Sequence, residues 1–186
     1  MNIQRDLLTV NPFSRPGKKL DKVKALAVHW VANAGTTAKQ NRNYFESLKD
    51  QSLNDASARY ASAHFIVGIS GEVVQCIPGE EVAYHVGAKK YTPEAVTAFG
   101  YIPNNCTIGI ELCHPRDDGQ FSTETLRAAG ELCALLCIQF DLDPAKDIWR
   151  HFDVTAKVCP RWFVEHPEAF DEFKQSVAGA VNRLRR

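Results

Sequence analysis

The chain predicts one α/β domain over residues 1–186, a single central mixed β-sheet flanked by helices. Three observations carry that reading. Strand-like and helix-like segments alternate, the pattern of helices packed on a sheet. A hairpin signal, Ser70-Gly71 between two apolar runs, interrupts the alternation, so the sheet is mixed. A length of 186 residues, with 45% hydrophobic and 24% charged residues, suits one core that folds without disulfide support.

Residues 24–30 (KALAVHW) read as a buried strand ending at His29. Residues 36–50 read as a helix with Thr36 or Thr37 as N-cap and Tyr44 and Leu48 on one face. Residues 51–62 are polar and small, hence loop. Residues 63–69 and 72–77 form the two strands of the hairpin. His64, Ile66 and Gly68 alternate with Phe65, Val67 and Ile69, so His64 faces away from the Phe65 row. Residues 78–106 form a long connection holding one short helix at Pro93, and a connection of that length is often functional. Residues 107–113 (TIGIELC) read as a strand. Residues 122–140 read as a helix with a stripe of Leu126, Ala129, Cys133, Leu136 and Phe140. Residues 147–151 (DIWRH) are a short strand ending in a second histidine. The last helix starts at Pro167 and buries Phe170, Phe173, Val177, Val181 and Leu184. Its acidic residues lie near the N-terminus and its arginines at the end, as the helix dipole favours.

Lys+Arg and Asp+Glu each number 22, so no global field holds nucleic acid or an anionic membrane. The longest apolar run, residues 132–138, is far below the ~20 residues a membrane-spanning helix needs. The start, MNIQRDLLTVNPFSRPG, has no apolar signal core, so the expectation is a product made in the cytoplasm without a signal peptide. Six cysteines without a C-x-x-C pair, on a chain with no export signal, are expected to stay reduced. Cys133 and Cys137 lie i,i+4 on an apolar helix and behave as small hydrophobes.

Three groups stand at strand ends or just beyond: His29, His151 and Cys159. Two imidazoles and a thiolate suit zinc, and three protein ligands leave its fourth position to water, the catalytic pattern. Their spacing alone also fits a satisfied core histidine and an ordinary buried thiol. Glu111 adds weight, because Ile110 and Leu112 point to the opposite face and leave a carboxylate on an inner strand. Such a group is either paired to a cation from a covering helix or placed to act as general base. Lys157, two residues before Cys159, is a solvated loop lysine or an oxyanion partner. His64 and His85 are further candidates. His114 and His166 read as surface residues.

The stretches NPFSRPGKKLDKVKALAVHW, NRNYFESLK, ASAHFIVGISGEVVQCIP, AYHVG, TIGIELCHP and HFDVTAKVCP together resemble the zinc-dependent N-acetylmuramoyl-L-alanine amidases of type 2. That family shares its fold with peptidoglycan-recognition proteins and includes phage endolysins and bacterial autolysins. The resemblance spans roughly residues 10–165. It implies one Zn²⁺ per chain on His29, His151 and Cys159, with Glu111 and Lys157 catalytic and His64 and His85 helping to build the substrate site. Other branches carry a tyrosine just before the position of His64. Here it is Ala63, which leaves more of the proton transfer to Glu111. Some relatives use Asp as third ligand, and recognition proteins without catalysis usually lack the cysteine.

The implied reaction is hydrolysis of the amide between N-acetylmuramic acid and L-alanine of the stem peptide. The implied groove is walled by the 78–106 connection and residues 32–36. Two alternatives share these residues: a non-catalytic peptidoglycan-binding module, and a zinc peptidase acting on the stem. The expected partner is peptidoglycan, as muramyl peptide, met by a monomer without nucleic acid or membrane insertion. No wall-binding module is expected within these residues. Action on the bacterial wall would follow release through a holin, lysis or a mother cell.

Overall fold

The computed structural model describes residues 1–186 and contains six strands: β1 (Ile3–Arg5), β2 (Ala25–Trp30), β3 (Phe65–Val67), β4 (Val73–Gln75), β5 (Thr107–Leu112) and β6 (Ile148–Arg150). They form one sheet in the order β1-β4-β3-β5-β2-β6. Only β3 and β4 pair antiparallel, through the hairpin expected at Ser70-Gly71, where Gly71 adopts φ 85°. All other neighbours run parallel, so the sheet is mixed as expected. β1 is too short and too polar for its sequence to announce it. Pairing with β4 creates it, with Ile3 opposite Val73.

Six α-helices follow the same chain order: α1 (Ala38–Ser47), α2 (Pro93–Phe99), α3 (Thr123–Phe140), α4 (His151–Thr155), α5 (Arg161–Glu165) and α6 (Pro167–Leu184). Thr37 caps α1 through a capping box with Gln40. Ser122 caps α3 by accepting from the Thr125 amide, and Asp141 ends it in the left-handed region. The short helices α4 and α5 were not expected from the sequence, because each is a single turn without a periodic stripe.

Alternation along β2 and β5 sorts the sheet into two unlike faces. Leu26, Val28, Ile108, Ile110 and Leu112 join Phe65, Val67 and the inner surfaces of α3 and α6 in the main core. Burying each such side chain contributes about 1.5–3 kcal/mol. Three helix expectations need correction. Tyr44 is exposed while Phe45, Asn41 and Arg42 turn inward. On α3 the buried stripe runs through Thr125, Ala129, Leu132, Cys133 and Leu136, leaving Leu126 and Phe140 at its edges. Leu184 is exposed in the last turn of α6, where Ala180 and Val181 take up the inner face. All six cysteines are free and buried, in keeping with the reduced state expected. No helix is long and apolar enough to cross a membrane.

Candidate metal centre and active site

The opposite face of the same strands carries small and polar residues: Ala25, Ala27 and His29 on β2, Thr107, Gly109 and Glu111 on β5. Parallel register does the assembling. His29 lies level with Glu111, and Val28 lies level with Arg150, so the residue after Arg150 arrives beside His29. That residue, His151, is not the end of a strand as expected but the first residue of α4. Arg150 grips Asp153 in the first turn of α4, with Nη2 to Oδ1 at 2.6 Å, and donates to the Phe163 carbonyl. The Phe152 amide donates to the Cys159 carbonyl at 2.8 Å, which ties the third donor to the second.

His29 Nδ1 and His151 Nδ1 are 3.0 Å apart, and Cys159 Sγ is 3.7 Å from His29 Nδ1. All three donor atoms lie within 4.8 Å of one another, and all three residues are buried. Tetrahedral zinc with ordinary bond lengths spaces two nitrogens by about 3.3 Å and a nitrogen and sulfur by about 3.6 Å. The trio therefore suits a zinc ion in donor chemistry, and the two separations from His29 lie near those spacings. Burial holds the His29 imidazole well below its ordinary value, reinforced by His151, His85 and Lys157. Burial, then the Lys157 charge, brings His151 down to about 4. Both rings are neutral at pH 7 and carry a lone pair for a cation. The Cys159 thiol is pushed up to about 12, first by burial and then by Glu111, so a metal must displace its proton.

His85 stands behind His29. Its Nδ1 is 3.1 Å from His29 Nε2, and its Nε2 is 3.2 Å from the Thr107 carbonyl. With His29 Nδ1 turned to the other donors, its Nε2–H donates to His85, whose own Nε2–H donates to Thr107. This chain fixes both tautomers and orients the His29 ring. Gly109 makes room for it, since a Cβ there would run into the His85 ring.

Glu111 is half-buried, and its Oε2 is enclosed without a hydrogen-bond partner. No helix cation pairs with it, which removes the structural alternative raised by its sequence position. Burial pushes it up to about 8, opposed by the charge of Lys157. Lys157 is exposed on the lip of the same groove. That groove, about 320 Å³, is lined by His29, His151, Cys159, Glu111 and Lys157 together with Trp30, Tyr60 and Tyr84. A larger hollow of about 560 Å³ lies beyond α4, between β6 and α6, and touches none of the donor residues.

Burial limits one histidine expectation and overturns another. His64 is wholly enclosed, accepting at Nδ1 from the Gly109 amide and meeting the Glu81 carbonyl through Nε2, so it frames the site and has no surface for substrate. His114 is buried rather than exposed, stacked on Trp30 at 4.8 Å with Nδ1 donating to the Arg116 carbonyl. His166 is partly exposed, as expected. His85 lines the groove by one edge only, since both of its nitrogens are engaged. Tyr84 and Asn104 of the 78–106 connection wall the groove, but residues 32–36 do not. The sequence reading missed Trp30, Tyr60 and Tyr84. Trp30 was in plain view beside His29, whereas the tyrosines arrive through loops that carry no periodic signal.

Fold and site define an α/β domain that gathers three metal-competent donors and a carboxylate on one sheet face. The family described as N-acetylmuramoyl-L-alanine amidase matches residues 19–162, and the chain belongs to that family. It is 36% identical over 181 residues to the N-acetylmuramoyl-L-alanine amidase BlyA of Bacillus subtilis (strain 168), a match covering 94% of this chain and 46% of that protein. It is 34% identical over 177 residues to the amidase CwlL of Bacillus licheniformis, covering 95% of this chain and 47% of that one. The chain thus spans about half the length of the curated relatives it matches. Among solved structures, the catalytic domain of XlyA superposes with a TM-score of 0.71 at 26% identity, covering 95% of this chain and 99% of that one.

Proposed function

We propose that this domain hydrolyses the amide joining the lactyl group of N-acetylmuramic acid to L-alanine in peptidoglycan. The observation that carries the reading is Glu111, whose enclosed, unpartnered carboxylate oxygen lies in one groove with the three donors. One zinc ion per chain, held by His29, His151 and Cys159, would supply Lewis acidity and lower the pKa of a bound water to about 7. A cation on the donor trio, together with Lys157, would hold the Glu111 carboxyl ionised against its burial, and Glu111 would then take the proton of the attacking water and return it to the departing amine of L-alanine. Lys157 offers its charge to the carbonyl oxygen as negative charge develops there. His85 holds His29 in the tautomer whose Nδ1 faces the other donors. With Ala63 before His64, no phenol occupies that place, and Glu111 is the only carboxylate lining the groove. The substrate places the protein's action at the bacterial wall, as a monomer reaching it after release through a holin, lysis or a mother cell.

Digestion of purified peptidoglycan tests the reading. The expected products are glycan strands ending in lactyl carboxylate and stem peptides with a new L-alanine amino terminus. A different new amine would make the domain a stem peptidase, and no new amine would make it a binding module.

A further inference from the structure

Tyr60 and Tyr84 stand together on one wall of the groove, with ring centroids 6.0 Å apart in an edge-on arrangement. Phe13 braces Tyr60 from behind at 5.3 Å. The Tyr84 main chain is locked to Ser62 in both directions, its amide donating to the Ser62 hydroxyl and its carbonyl accepting from the Ser62 amide, each at 2.9 Å. The Tyr84 main chain is therefore pinned, and Tyr60, packed between Tyr84 and Phe13, remains 52% exposed. A braced aromatic ring left half open on a groove is a surface kept for a ligand.

Charge decides which part of the substrate meets it. The tyrosine wall adjoins the chain leading into β3, on one side of Glu111. Lys157, the only lysine or arginine lining the groove, follows β6 and α4 on the other side. A stem peptide carries carboxylates and is drawn toward the cation. A pyranose is neutral, with a flat face of polarised C–H groups that suits the electron-rich face of an aromatic ring. We propose that Tyr60, backed by Tyr84 and Phe13, is the subsite for the sugar ring next to the scissile amide. The stem peptide then runs out past Lys157. This inference rests on the amidase reading of the same groove.

Two soluble substrates with one scissile bond test it: an N-acetylmuramoyl pentapeptide and the matching N-lactoyl pentapeptide, which lacks the ring. The wild-type protein is expected to show a KM about fivefold lower for the muramoyl substrate, the worth of one aromatic contact. Tyr60→Ala should erase that difference by raising KM for the muramoyl substrate alone, with kcat little changed, and Tyr60→Phe should restore it. Equal KM values for the two substrates in the wild type would overturn the subsite. So would a Tyr60→Ala effect of equal size on both, which would mean that the wall holds peptide. Failure of the wild type to cut either substrate would instead sink the amidase reading, and the subsite with it.

Discussion

Toward α3 and α6, β2 and β5 present Leu26, Val28, Ile108, Ile110 and Leu112, all with essentially no exposure. Toward the groove, the same strands present Ala25, Ala27, His29, Thr107, Gly109 and Glu111. Burial is similar on both faces except at Glu111, yet the side chains differ in kind. The first face fills space. The second clears space with small residues, so that His85 can lie over Gly109 and brace His29. A two-residue period thus separates packing from chemistry within single strands. It follows that damage to one face should be read in stability and damage to the other in metal binding and turnover.

The sharpest separation should come from the donors. His29→Ala or Cys159→Ala removes a candidate ligand, and activity should fall by ~10³-fold or more, because a bound metal would contribute several kcal/mol of charge stabilisation. Elemental analysis should find the zinc lost while circular dichroism stays native. Retained stoichiometric zinc in both variants would break the assignment. Ile110→Ala, on the opposite face of the strand that carries Glu111, should do the reverse. It should cost about 2–5 kcal/mol in urea unfolding with zinc content unchanged at low temperature.

His64 makes the second face sensitive to acid. Burial brings its imidazole down to about 4, against the partial support of the Glu81 carbonyl. At pH 7 the ring is neutral in both folded and unfolded chains. As pH falls below about 6.5 the unfolded chain takes up the proton first, so stability is lost down to about pH 4, by about 3 kcal/mol. In metal-free protein, His64→Gln should flatten that part of the stability–pH curve, and an unchanged slope would contradict the placement. Gly109→Ala should act on the same face through His85. Its new methyl must displace the buried His85 ring and free the far nitrogen of His29, which should weaken zinc affinity about 10–100-fold and lower the melting temperature as well. Competition with a chelator reads it.

Much of this division was legible before any coordinates. Glu111 between Ile110 and Leu112, and His64 between Ala63 and Phe65, announce their faces by alternation alone. The metal donors were legible as residue types at strand ends, with the resemblance choosing among them. Other features depend on tertiary pairing. β1 forms on the edge that β4 offers it, and His114 is buried against Trp30, which stacks on it. The neutral helix edges misled in the same way: Tyr44 and Leu184 fit the helical period but lie where no neighbour covers them. The tyrosine wall comes from loops, where no period reports on position.

The central claim is that Glu111 acts as the base beside an intact donor trio. Glu111→Gln keeps the size of the side chain and removes its proton acceptor. The direct test measures zinc content, melting temperature and muramoyl-peptide turnover on the same preparation of that variant. The account expects native zinc, a melting temperature no lower than the wild type, little change in KM and a kcat lower by ~10²–10⁴. Near-native kcat in a folded, zinc-loaded variant would contradict it.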